Sequence, residues 1–69
     1  MNDCIVRADH YPNGLIIPLG FTDKRGKSIY IDRVIDIQRD SSRRIIYCCK
    51  VKEKIIHLIY NNSKWVIEE

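Results

Sequence analysis

The 69-residue sequence contains no apolar run approaching the ~20 residues that a membrane helix needs; one of the longest, "LIIPLGF", is broken by Pro18 and Gly20. Its first ten residues, "MNDCIVRADH", carry charges where a signal peptide would be apolar, so no leader is expected. Three cysteines cannot all pair and none stands in a CxxC spacing, which argues against a disulfide framework and for a reducing compartment. Together these absences predict a soluble, cytoplasmic chain with no membrane partner. Alanine, at Ala8, occurs once and leucine three times, so good helix formers are scarce. Repeats, linkers and low-complexity segments are missing too. The length allows one domain, and a domain of this size buries only roughly 60% of the surface of its unfolded chain.

What is present is isoleucine, valine and tyrosine in alternation with polar residues, the pattern of half-buried strands. "YPNG" at Tyr11–Gly14 is a turn signal, and "LIIPLGF" follows as a first strand. Pro18 cannot donate to a ladder, which places that strand at an edge or puts a bulge in it. "TDKRGK", from Thr22 to Lys27, reads as a hairpin loop with Gly26 left-handed. "SIYIDRVIDIQ" reads as a longer strand with a bulge or bend near Asp32–Arg33, where the alternation breaks. "RIIYCCKV" and "KIIHLIY" are the third and fourth strands, "NNS" closes a hairpin, and "KWVIEE" is the last strand. The expected fold is all-β: a bent antiparallel meander of five strands, or six, curled into an SH3-like barrel over residues 15–69. Residues 1–14 form an N-terminal arm whose "CIVRA" can add the further strand. The principal alternative replaces one strand, such as "DRVIDIQRD", by a helix.

A tight turn at Lys52–Glu53 sets Val51 against Lys54, Cys49 against Ile56, Tyr47 against Leu58 and Ile45 against Tyr60, which makes one apolar face. Cys48 then faces His57 on the other side. A Cys48–His57 nucleophilic pair would need an orienting group and a cleft, and the sequence points to neither. Cys4, His10, Cys48 and His57 have the chemistry of zinc ligands, but their spacing matches no metal motif. Cys49 reads as a core residue, Cys48 and His57 as cross-strand neighbours, and Trp65 as core or a lid over one end. No enzyme activity, metal or cofactor is expected.

The charge is uneven. From Thr22 to Lys54 there are ten Lys or Arg against five Asp or Glu, while each flank is net negative. The candidate binding surface is Lys24, Arg25, Lys27, Tyr30, Arg39, Arg43 and Arg44. Tyr11, Phe21 and Tyr30 are candidates for an exposed aromatic patch. Two functions fit. The first is a non-enzymatic interaction module that binds a protein or peptide, or forms a homodimer through a strand edge. The alternative is a nucleic-acid-binding small barrel that uses the basic loops around residues 22–54, with a tyrosine stacking on a base.

The succession "GLIIPLGF", "IYIDRVIDIQ", "IIYCCKV", "LIYNNSKWVIEE" resembles a set of short, uncharacterised bacterial β-proteins of SH3-like barrel type. The matching positions are Pro18, Tyr30, Ile31, Asp32, Val34, Tyr47, Cys49, Trp65 and Glu68, within about residues 15–69. The resemblance implies a fold and assigns no activity.

Overall fold

A computed structural model describes residues 2–40 and 43–68. Every regular element in it is a strand: β1 (Asn2–Asp3), β2 (Ile5–His10), β3 (Ile16–Thr22), β4 (Ser28–Tyr30), β5 (Arg33–Arg39), β6 (Ile45–Val51), β7 (Lys54–Asn61) and β8 (Lys64–Glu68). Among the described residues there is no helix, so none is long and apolar enough to cross a membrane.

The strands form two antiparallel sheets. The larger has the order β8-β7-β6-β5, extended past β8 by the two-residue β1. The smaller has the order β2-β3-β4. The all-β antiparallel expectation holds, but in place of a single meander of five or six strands the chain forms two sheets, whose hydrogen-bonded ladders do not run round into one closed barrel. Two segments instead pass from sheet to sheet. At Cys4 the chain leaves β8, to which its amide donates (Cys4 N to Trp65 O, 3.2 Å), and Ile5 then pairs with Thr22. At the second crossing Ile31 N donates to Leu19 O on β3, and the next amide, Asp32 N, donates to Lys50 O on β6, both at 2.9 Å. The break expected near Asp32–Arg33 is a bend at Asp32, with a bulge between Val34 and Asp36 just beyond it, and it carries the chain from one sheet to the other. "SIYIDRVIDIQ" forms two strands that serve different sheets.

Residues of the N-terminal arm supply β2, which pairs with β3 along its whole length. Register slips by one residue between Pro18 and Gly20, leaving Leu19 as a bulge. Pro18 is thus tolerated in the central strand of the smaller sheet. Beside the bulge, β4 reaches only Gly20–Thr22, so no ladder bond to β4 is lost at Pro18.

The register of β6 on β7 is the expected one throughout, from Ile45 opposite Tyr60 to Val51 opposite Lys54. Its inward face gives the core: Tyr47, Cys49, Ile56 and Leu58, joined by Phe21 from the smaller sheet. Each large apolar side chain buried there contributes about 1.5–3 kcal/mol. Trp65 packs on two tyrosines, its ring centroid 5.5 Å from that of Tyr47 and 4.7 Å from that of Tyr60. The Cα radius of gyration, 11.3 Å, matches the ~11 Å expected of a packed chain of this length.

Candidate functional site

The sheets part at one end of the molecule. Between the β3–β4 turn and the β6–β7 turn lies an open cleft of about 1280 Å³. Its floor is apolar, made of Phe21, Ile29, Val51, Ile56 and Ile67. These residues belong to, or pack on, the core, so the cleft is the core's own open end.

The rim is built from two tight turns. In the first, one carboxylate oxygen of Asp23 accepts from the amides of Arg25 and Lys27, both at 2.9 Å. Gly26 takes φ +80° there, which closes the loop. In the second, Lys52 has φ +56° and its amide donates to Asp32 Oδ2 at 2.8 Å. One oxygen of each carboxylate thus anchors a turn at a corner of the cleft, and both keep their negative charge. Lys24, Arg25, Lys27, Lys52 and Lys54 stand round the same opening, with Glu53 and Glu68 as the remaining acids.

The third wall is β4, a three-residue edge strand. Backbone groups of successive strand residues point alternately to the two sides. Since Ile31 N–H points to β3 and Asp32 N–H to β6, the N–H and C=O of Tyr30 point away from β3, toward the cleft.

On the outer face of the smaller sheet, Arg7, Gly20 and Tyr30 form one cross-strand row. The Arg7 side chain lies across Gly20. Its guanidinium donates to Thr22 Oγ1 and to Ile29 O, each at 3.4 Å, and its Cζ sits 5.8 Å from the centre of the Tyr30 ring. A Cβ at Gly20 would come within 2.7 Å of both Arg7 Nη2 and Ile29 O, so the absent side chain makes this lie possible. Tyr30 is 76% exposed.

Of the residues expected to form one binding surface, Lys24, Arg25, Lys27 and Tyr30 line the cleft. Arg39, Arg43 and Arg44 stand at the other end of β6, in and after β5. The seven residues of β6 put about 20 Å of strand between the two groups. At that far end Arg44 Nε is 2.7 Å from Asp40 Oδ2, and Arg43 holds φ +68°. The expected aromatic patch does not form: Phe21 is 4% exposed and faces inward, Tyr30 faces outward, and Tyr11 lies at the β2–β3 turn. Arg7 carries no motif, and only the placement of Gly20 between it and Tyr30 reveals it.

Cys48 and His57 are directly opposed, as expected, and the row continues to Asp36 on one side and Glu68 on the other. No group of three or more His, Cys, Asp or Glu among the described residues is placed to hold a metal. Cys49, fully buried, has its thiol pushed up to about 11, first by burial and then by the adjacent Cys48. Burial likewise raises the Tyr47 phenol, against a smaller lowering by Arg39. Neither group is poised to ionise near neutrality. No protein-family model, curated protein or solved structure matches the chain.

Proposed function

We propose that the chain is a non-enzymatic interaction module that takes an extended segment of a partner protein into the cleft as an added strand on β4. The observation that carries this reading is the direction of the Tyr30 backbone. A short edge strand turns hydrogen-bonding groups into an opening with an apolar floor, which is what strand addition uses: main-chain bonds for affinity, pockets for alternate side chains. Lys24, Arg25, Lys27, Lys52 and Lys54 stand round the rim against Asp23, Asp32, Glu53 and Glu68, a small positive excess that suits a segment carrying an acidic residue among apolar ones. An SH3-like small barrel remains our reading of the architecture. Its support is the order of neighbours: β1/β2, β3, β4/β5, β6, β7, β8 and back to β1, with both double strands bending from one sheet into the other.

A nucleic-acid surface would gather its cations on one face. Here the basic residues divide between two ends of β6, which favours the peptide. Fluorescence anisotropy with a labelled peptide of alternating valine and threonine, and with a labelled single-stranded oligonucleotide, separates the two. The peptide is expected to bind and the oligonucleotide not to compete. Oligonucleotide binding that falls steeply with salt, with no peptide binding, would reverse the assignment. Sedimentation at the same concentrations shows whether a second copy of the chain supplies the strand instead.

A further inference from the structure

We infer that Arg7 is the residue that reads an acidic side chain on the bound segment, at the position directly opposite Tyr30; this rests on strand addition to β4. The argument begins with a cation that is costly to leave alone. Arg7 is half-buried, and among the described residues it makes no ion pair. Its bonds to Thr22 and Ile29 are long, and both acceptors are neutral. Covering it with a partner that lacked an anion would leave a desolvated, unpaired charge.

Position is the second part. Arg7 belongs to β2, two strands from the cleft, yet it extends over Gly20 as far as the Tyr30 ring. An added strand beside β4 would continue the row Arg7–Gly20–Tyr30 with one of its own residues. Directly opposed side chains in a sheet have Cβ atoms about 4.5–5.5 Å apart. A glutamate there can fold back over the Tyr30 ring to meet the guanidinium, which the ring and the glycine already hold in place. Such a bond is charge-assisted, and a guanidinium can make it in two parallel contacts. The residues on either side of that glutamate point to the opposite face, beside Ile29 and the apolar floor. The segment selected is therefore apolar–Glu–apolar, with register fixed by Arg7.

Ile5, 73% exposed, and Tyr30 flank Arg7 on this face. An arginine beside an exposed tyrosine pairs two of the residue types that dominate interface hot spots.

The test uses two labelled peptides of alternating valine and threonine, one with a central glutamate and one with glutamine in its place. The wild-type protein is expected to prefer the glutamate peptide by roughly tenfold or more, the size of one charge-assisted hydrogen bond. In R7Q the ratio should fall to about one while the glutamine peptide still binds. R7K, which keeps the charge but not the planar fork, should give a ratio between the two and provides the reading if R7Q does not fold. Equal binding of both peptides by the wild type overturns the role of Arg7 and leaves strand addition standing. An unchanged preference in R7Q and R7K also overturns it, because the rim lysines would then be reading the acid. If neither peptide binds, strand addition itself fails and this inference goes with it.

Discussion

The phenol oxygen of Tyr47, in the middle of β6, donates to the carbonyl oxygen of Ile16 at the start of β3, 2.7 Å away. The bond ties the two sheets together at the end opposite the cleft. Tyr47 is 1% exposed, while Ile16 at the other end of the bond is half-buried. Tyr47→Phe keeps the ring and leaves the Ile16 carbonyl short of a donor. A loss of about 1–3 kcal/mol is expected, read as a lower urea midpoint at unchanged slope. An unchanged midpoint would mean that the bond contributes nothing to holding the sheets together.

Gly20→Ala tests the lie of Arg7. The added methyl meets a flexible guanidinium on one side, but on the other it meets the main-chain oxygen of Ile29, which cannot move without shifting β4. A cost of about 1–3 kcal/mol follows from overpacking. Thermal melting measures it, and a variant as stable as the wild type would show that β4 gives way easily.

The β7–β8 turn holds Asn62 at φ +53° and Ser63 at φ +66°. Asparagine tolerates that region and serine does so less well. Ser63→Gly creates the Asn-Gly pair that such two-residue hairpins favour. It should stabilise the protein by a few tenths to about 1 kcal/mol. A lower melting temperature would show that serine makes a compensating contact.

Alkaline pH tests the buried thiol. The folded-state value of Cys49 lies above the ordinary 9.0, at about 11. Burial thus favours the neutral form. Its stabilising effect is complete below pH 9 and is lost as pH rises through about 11, with the Tyr47 phenol, also raised, acting in the same direction. Unfolding free energy should therefore fall from pH 9 upward, and Cys49→Ala should flatten part of that fall. Iodoacetamide at pH 8 should label Cys48, which is half-buried, well before Cys49. Equal labelling would contradict the burial of Cys49.

Alternation alone makes the larger sheet legible. In "RIIYCCKV" and "KIIHLIY" every second residue is apolar, and a two-residue turn admits one register that keeps those residues together. That is why Cys49–Ile56 and Tyr47–Leu58 follow from the sequence. The failed alternation at Asp32–Arg33 is visible too, but its meaning is not. A bulge, a bend and a change of sheet break the period alike, and only long-range pairing distinguishes them. The same limit hides the site. Loops that are close in sequence, such as those of Lys24 and Arg43, end at opposite ends of β6 once the strands are laid side by side. In the sequence Arg7 is one polar residue of the arm with no motif around it. Its importance comes from Gly20 and Tyr30, both distant in sequence and adjacent only across strands.

The most direct test of strand addition is amide exchange at Tyr30 in the ¹⁵N-labelled protein, with and without the alternating valine–threonine peptide that carries the central glutamate. If the peptide extends the smaller sheet, the Tyr30 amide exchanges markedly more slowly at saturation, and the resonances of Ser28–Tyr30 and Val51–Lys54 shift together. If Tyr30 exchanges at the same rate while the peptide is bound, or if the shifts fall on Arg33–Arg39 instead, β4 does not receive the segment.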